Sequence, residues 1–94
     1  MMDAQRILKV ATALSDGHRI TIFLEVARRG TIPYKEMAAL TALSQPAFSH
    51  HIKILAESGL LKTRKTGRAV GLSLDEQLLK QVSAFFLQVL QSAA

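Results

Sequence analysis

Cysteine is absent from this chain of 94 residues. Its absence excludes a disulfide framework, a thiolate metal site and redox sensing through thiols. No apolar run reaches the roughly 18 residues that a membrane span requires. The N-terminus also lacks a basic segment followed by an apolar one, so nothing suggests export and we expect the cytoplasm. Repeats, low-complexity tracts and linkers are missing as well, and residues 1–94 are therefore expected to form one domain.

Signatures of catalysis are likewise missing. The acid–base candidates are His18, His50 and His51, and no nucleophile, glycine-rich phosphate loop or ligand-spaced cluster accompanies them. Adjacent helical residues point about 100 degrees apart, so His50 and His51 are poorly placed to chelate one metal ion. We therefore expect neither an enzyme nor a bound metal or cofactor.

Positive charge is concentrated in the second half of the chain. Twelve lysines and arginines against seven aspartates and glutamates give a net charge of +5. Between positions 44 and 73, five basic residues and the single acidic residue Glu57 give a net +4. The five are Lys53, Lys62, Arg64, Lys65 and Arg68. Counterion release favours basic groups that lie together, so this stretch predicts a nucleic-acid partner. The alternative is that these cations only keep a strand edge from pairing.

Apolar side chains at three- and four-residue spacings predict two helices in the first third of the chain. The first spans residues 3–14, and Ser15 or Asp16 then caps a second helix that ends at Gly30. The buried stripe of the second helix is predicted to consist of Ile20, Phe23, Leu24 and Ala27.

A short third helix, a tight turn and a fourth helix are predicted next. Pro33 fits the first turn of the third helix because it has no N–H to lose, and residues 31–33 are expected to be a connection. Ser44 caps the fourth helix, which ends at Ser58 and Gly59. Its inward side chains are predicted to be Phe48, Ile52 and Leu55.

A hairpin and a long last helix complete the chain. Residues 60–74 predict two short strands around a basic tip at Thr66-Gly67-Arg68. The last helix runs from about residue 75 to residue 91, and its apolar stripe is too broad for one small core to cover. We therefore expect a second subunit to cover half of this stripe.

The order of these elements predicts a mainly α fold with a small β-hairpin, a winged helix-turn-helix in the order α-α-α-α-β-β-α. In this fold the second helix of the pair enters the major groove of DNA. With three apolar side chains inward, the fourth helix presents a polar, small outward face. The predicted DNA-binding residues are Ser44, Gln45, Pro46, Ala47, Ser49, His50, Lys53, Arg64, Lys65 and Arg68.

These residues are expected to take different roles on double-stranded DNA. Ser44 and Gln45 lie at a helix N-terminus, which favours phosphate. Gln45, Ser49 and His50 can form hydrogen bonds with base edges, whereas Lys53 and the hairpin cations suit the backbone or the minor groove. Ala47 is small enough to touch a thymine methyl group. His51 is expected to be half-buried behind the helix, although two ordinary surface histidines are the alternative.

The chain resembles the ArsR/SmtB family of bacterial winged-helix repressors over nearly its full length. The matching stretches are ALSDGHRI at 13–20, SQPAFSHHIKIL at 44–55 and ESGLL at 57–61, followed by the basic hairpin. The resemblance implies a homodimer that binds an imperfect palindrome near a promoter and represses it. The dimer that it implies is formed by the first and last helices, residues 1–14 and 75–92. The interface residues expected on these helices are Ile7, Leu8, Leu78, Val82, Phe85, Phe86 and Val89.

The chain departs from the family's metal sensors at both of their usual sites. Where such sensors carry Cys-x-Cys in the third helix, residues 32–36 are IPYKE, and where others carry Asp and His in the last helix, residues 75–77 are DEQ. Asp75 and Glu76 are expected to complement a helix dipole. His18 and Tyr34 are expected to be structural.

Two further possibilities stay open, one about the inducing signal and one about the function itself. A small-molecule or protein effector could act through an apolar pocket at the dimer interface, since such a pocket leaves no motif. The second alternative is a protein-interaction module without DNA function, which would dock a partner through the last helix.

Overall fold

A computed structural model describes residues 2–93 of the chain. These residues form five helices and three strands. The five helices and the two strands of the hairpin follow the predicted order, and the third strand, β1 (Thr31–Pro33), was not predicted. The elements are α1 (Ala4–Ala13), α2 (Gly17–Arg29), β1 (Thr31–Pro33), α3 (Tyr34–Ala39), α4 (Gln45–Glu57), β2 (Leu61–Thr66), β3 (Ala69–Leu74) and α5 (Glu76–Ala93). The winged helix-turn-helix architecture is therefore confirmed. None of the helices described is both long enough and apolar enough to traverse a bilayer.

Side-chain caps mark the starts of α2 and α4. Asp16 caps α2, because its Oδ2 accepts hydrogen bonds from the backbone N–H groups of His18 (2.9 Å) and Arg19 (3.2 Å). Of the two predicted caps it is thus Asp16, and not Ser15, that serves α2. Ser44 caps α4 as predicted, since its Oγ accepts from the backbone N–H of Ala47 at 3.3 Å. Such caps satisfy backbone donors that have no partner inside the helix.

The prediction of a simple connection at residues 31–33 is wrong, because these residues form a strand. The sheet has the order β1-β3-β2, and both pairs of strands are antiparallel. Ile32 lies opposite Leu72, and both side chains are buried. Pro33 ends β1 at the sheet edge and precedes α3 with φ −61° and ψ 140°, so it lies outside the helical turn. Edge strands tolerate proline because its missing N–H is not needed there.

The core lies between the helices and one face of the sheet. The predicted inward side chains of α4 are confirmed, with exposed fractions of 1% for Phe48, 6% for Ile52 and 0% for Leu55. The core also includes Val10, Ala13, Ile22, Val26, Ile32, Met37, Leu60, Leu61, Leu72 and Leu78. These residues come from all five helices and all three strands of the described chain, which joins them into one hydrophobic unit.

The predicted stripe of α2 is wrong for Leu24 and Ala27, whereas Ile20 and Phe23 are half-buried and Phe23 packs against the core. Ile22 and Val26 are fully buried, whereas Leu24 is 57% exposed and Ala27 is exposed. Apolar residues occur on both sides of α2, so two stripes fit the helical period equally well. Packing of α2 against α4 and the sheet selects the stripe that contains Ile22 and Val26.

The predicted interface residues divide into three groups. Leu78 is buried in the core of its own subunit, with 4% of its surface exposed, so its assignment to a dimer interface is wrong. This residue lies one turn into α5, where the helix leaves β3 and still packs on the core. Ile7, Val82 and Phe85 are half-buried. Leu8, Phe86 and Val89 have more than half of their surface exposed.

Candidate nucleic-acid interface

The outward face of α4 carries the polar residues that the sequence predicts for it. Gln45, Ser49, His50 and Lys53 are exposed, as are Ser44 and Pro46 at the start of the helix. Ala47 is half-buried. Because a helix turns by about 100 degrees per residue, burial of the opposite face leaves these side chains pointing to solvent. They form a surface that we call the α4 face, defined as residues 44–50 and 53 without the buried Phe48.

Arg19 of α2 fixes the back of α4 through contacts that the sequence did not predict. Its Nε donates to the carbonyl oxygen of Ala13 at 2.7 Å, and its Nη1 lies 3.0 Å from Nδ1 of His51. Arginine has no acceptor, so Nδ1 of His51 accepts this hydrogen bond and the proton of the neutral ring is on Nε2. Arg19 thus ties the end of α1 to α4.

His51 is held neutral by its surroundings. Its side chain is 12% exposed, and Oδ2 of Asp16 lies 3.8 Å from Nδ1. Burial lowers the pKa of His51 below its ordinary value of 6.5, although the carboxylate of Asp16 opposes this shift. The pKa of Asp16 is lowered too, chiefly because the backbone N–H of Arg19 donates to its carboxylate. The expected position of His51 behind the helix is therefore confirmed, and His50 differs from it by being exposed.

Ser49 is linked to α3 by a contact that the sequence did not predict either. The hydroxyl oxygens of Tyr34 and Ser49 lie 2.8 Å apart. The ring of Tyr34 packs edge-on against Phe48, with ring centres 5.0 Å apart and planes 78° apart. No sequence signal connects Tyr34 with Ser49, because they belong to two helices that only the helix-turn-helix geometry brings together.

The hairpin of β2 and β3 carries the second group of predicted residues. Arg64, Lys65 and Arg68 are exposed, and Gly67 turns the chain between the strands with φ 62°. Among residues 2–93, none of these three cations lies within 4.0 Å of a carboxylate oxygen. We call Arg64, Lys65 and Arg68 the wing cations.

Two arginines of α2 differ from the wing cations because glutamates neutralise them. Arg29 of α2 contacts the carboxylates of Glu25 and Glu36 at 3.1 and 2.8 Å, and Arg28 pairs with Glu25. These contacts raise the pKa of both arginines and lower that of Glu25. Lys53 lies 3.9 Å from Glu57, but both side chains are largely exposed, so solvent weakens this pair. Of the cations in residues 2–93 that make no ion pair, Lys62 and the wing cations lie together on the hairpin, whereas Arg6, Lys9, Arg19, Lys35 and Lys80 are spread over α1, α2, α3 and α5.

Residues 32–36 and 75–77, which the sequence resemblance aligns with metal sites, include Ile32 and Asp75, and both of these have other roles here. Ile32 is a core residue, and Oδ1 of Asp75 accepts a hydrogen bond from the backbone N–H of Leu78 at 3.1 Å. In the part of the chain that the structure describes, no group of three His, Asp or Glu residues is arranged to hold a metal ion. Asp75 is thus explained as a cap of α5.

Comparison with known proteins agrees with this fold. Residues 14–64 match a family model described as a helix-turn-helix domain. The chain is 34% identical over 76 residues to a cadmium resistance transcriptional regulatory protein, a CadC homolog of Staphylococcus aureus, covering 81% of this chain and 63% of that protein. It is 31% identical over 83 residues to the arsenic resistance transcriptional regulator ArsR1 of Pseudomonas putida, covering 88% and 65%. The chain therefore spans less than two thirds of the length of these relatives.

Solved structures show the same architecture. An ArsR family transcriptional regulator superposes with a TM-score of 0.83 at 23% identity, over 96% of this chain and 92% of the other. A homodimeric winged helix-turn-helix DNA-binding domain from Mycobacterium bovis gives a TM-score of 0.73 at 21% identity, over 94% and 80%. The chain is thus a winged helix-turn-helix protein. It belongs to the ArsR/SmtB family of these proteins.

Neutral His51 makes the stability of the fold depend on pH. Because its pKa is lower in the folded than in the unfolded chain, the unfolded chain binds more protons below pH 6.5. The contribution of His51 is therefore complete above pH 6.5 and is lost as the pH falls toward the folded pKa. Urea unfolding at pH 7.5 and 5.5 should show a smaller difference for His51→Gln than for the wild type. His50→Gln, on the exposed side, should retain the wild-type difference; equal behaviour of the two variants would contradict the assignment.

Proposed function

We propose that this chain is a sequence-specific transcriptional regulator that binds double-stranded DNA as a homodimer and represses transcription at an imperfect palindrome. The observation that carries the proposal is the α4 face, which is polar and exposed and is followed in the chain by a hairpin with unpaired cations. A helix of this kind fits the width of the major groove. Because its proposed partner is DNA, we propose that the protein works in the cytoplasm.

The α4 face supports two kinds of contact. Gln45, Ser49 and His50 offer hydrogen-bond donors and acceptors for base edges, and the methyl group of Ala47 suits a thymine methyl. Ser44 and Lys53 lie at the margins of this face, where a phosphate oxygen is the natural partner. We propose that the first group selects the sequence and the second sets the register on the duplex.

The wing cations support binding to the flanking backbone. Unpaired cations release condensed counterions when they approach phosphates, whereas cations already paired with carboxylates contribute less. Arg64, Lys65 and Arg68 are therefore better placed to strengthen DNA binding than Arg28 and Arg29, which are held by glutamates. The wing is proposed to contact the backbone or the minor groove beside the α4 face.

A second copy of the chain is proposed to cover the apolar surface of α1 and α5. Leu8 of α1 is 65% exposed, and Phe86, Val89 and Leu90 of α5 are 57%, 51% and 69% exposed. Burying such side chains between two copies removes apolar surface from water. The domain from Mycobacterium bovis with the same fold is homodimeric, which supports this arrangement. A dimer would present two α4 faces to two half-sites.

Release from DNA is proposed to involve an unidentified small-molecule or protein effector. The two curated relatives are named for cadmium and arsenic resistance. This chain contains no cysteine, so a thiolate site for a soft metal is excluded. Any effector must therefore be recognised by other chemistry.

Phosphate-contacting and base-contacting residues should differ in their effects on binding. Lys53→Ala removes one phosphate contact, so it should weaken binding to all sequences and lower the slope of log affinity against log salt by about one unit. His50→Ala should instead change base preference, by about 1–3 kcal/mol, with an unchanged slope. Fluorescence anisotropy with preferred and random duplexes measures both effects.

Lys80→Ala is the matched control for charge. Lys80 is exposed on α5, outside the α4 face and the wing cations, and is not among the predicted dimer-interface residues. It should leave the salt slope unchanged. If His50→Ala weakens binding to preferred and random DNA equally, its role in base recognition is rejected.

If α5 forms the dimer interface, introducing a charge at two equally exposed apolar residues should have different outcomes. Phe86 on α5 and Leu24 on α2 are both 57% exposed. Phe86→Asp places a charge in the proposed interface, so sedimentation should show a monomer with at least about tenfold weaker binding to the palindrome. Leu24→Asp should remain dimeric. A wild-type monomer without salt-dependent DNA affinity would instead support the second candidate, a module that docks a partner protein through α5.

A further inference from the structure

Tyr34 and Ser49 form a hydrogen bond at the edge of the α4 face. Their hydroxyl oxygens are 2.8 Å apart, and Ser49 is exposed whereas Tyr34 is half-buried. The Tyr34 ring is held by its edge-on contact with Phe48, a core residue with 1% of its surface exposed. The tyrosine hydroxyl is thus fixed by the core, while the serine hydroxyl that it meets faces solvent.

The separation of 2.8 Å allows either hydroxyl to donate, and their chemistry favours Tyr34 as the donor. A phenol is more acidic than an aliphatic alcohol, so the phenolic O–H is the better donor and the serine oxygen the better acceptor. When Tyr34 donates to Ser49, one lone pair of the serine oxygen is occupied and its own proton is directed elsewhere. A serine hydroxyl otherwise rotates freely and can either donate or accept.

We propose that Tyr34 is a positioning residue that makes Ser49 a hydrogen-bond donor toward one base in the major groove. This inference rests on the proposed function, since it requires the α4 face to lie against DNA. A fixed donor favours base edges that present an acceptor, which are N7 and O6 of guanine, N7 of adenine and O4 of thymine. It disfavours the N4 amino group of cytosine, which can only donate.

Two other roles for Tyr34 lead to different results. If the tyrosine only packs on Phe48, its hydroxyl is dispensable and base preference does not depend on it. If the hydroxyl binds a phosphate, its loss weakens binding to every sequence alike. A positioning role instead changes the preference at one base pair, the same one that depends on Ser49.

The test compares Tyr34→Phe, Ser49→Ala and the double variant with the wild type. The wild type first selects duplexes from a random pool. The affinity of each protein is then measured for the selected duplex and for duplexes in which each base pair of the site is substituted in turn. Tyr34→Phe keeps the ring against Phe48, so the core contact is retained. At the base pair where Ser49→Ala loses discrimination, Tyr34→Phe should lower the ratio of best to worst affinity by about three- to tenfold.

The double variant and a matched control show whether the effect acts through Ser49. In the Ser49→Ala background, Tyr34→Phe should cause no further loss of discrimination, because the hydroxyl that it positions is gone. Gln45→Ala, at another place on the α4 face, should alter a different base pair and combine additively with Tyr34→Phe. Ratios measured with one preparation do not depend on its folded fraction.

Each other outcome overturns the inference. An unchanged ratio for Tyr34→Phe means that the hydroxyl does not position Ser49, and an equal loss on all sequences means that it binds backbone or supports the fold. If the wild type selects no sequence from the pool, the proposed function itself fails. The first two outcomes leave sequence-specific binding intact and overturn only the role of Tyr34.

Discussion

The rotation of α4 about its own axis is the constraint on which the rest of the molecule depends. Phe48, Ile52 and Leu55 are spaced by four and three residues and are almost completely buried against α2 and the sheet. Each residue of a helix is rotated by about 100 degrees from the one before, so these three side chains determine where all the others point. The α4 face is exposed for this reason, and Arg19 reinforces the same orientation from behind through His51.

The placement of charge supports double-stranded DNA as the proposed partner of the α4 face. Arg28 and Arg29 of α2 are neutralised by glutamates, while the wing cations have no carboxylate oxygen within 4.0 Å among residues 2–93. A net charge of +5 would be weak evidence if it were spread evenly over the surface. Unpaired cations on a hairpin that projects beside a polar helix face have a clear physical role, because phosphates on a duplex can replace the missing carboxylates.

Local chemistry explains what the sequence predicted well. Ser44 caps α4 and Pro46 lies in its first turn, and both choices depend on backbone donors within a few residues. The buried spacing of Phe48, Ile52 and Leu55 is also a property of one helix. The helices, the hairpin and the composition of the α4 face could therefore be predicted without knowledge of the rest of the chain.

Long-range contacts explain what the sequence did not predict. Strand β1 exists because Ile32 pairs with Leu72, forty positions later, and three residues are too few to show an alternating pattern. The buried stripe of α2 and the burial of Leu78 depend on which neighbours pack against them. The contacts of Arg19 with His51 and of Tyr34 with Ser49 join separate helices, so no spacing within one element could reveal them.

Site-directed cleavage of DNA tests the central claim that the α4 face enters the major groove twice per assembly. Since the chain has no cysteine, Lys53→Cys provides a unique thiol for attaching a DNA-cleaving reagent to α4. The account predicts cleavage at two positions about ten base pairs apart, the separation of two half-sites on one side of a duplex. Ala27→Cys, at an exposed position of α2 outside the α4 face, the wing cations and the proposed dimer surface, should cleave weakly with the same reagent. Uniform cleavage from Lys53→Cys, or cleavage no stronger than from Ala27→Cys, would contradict the account.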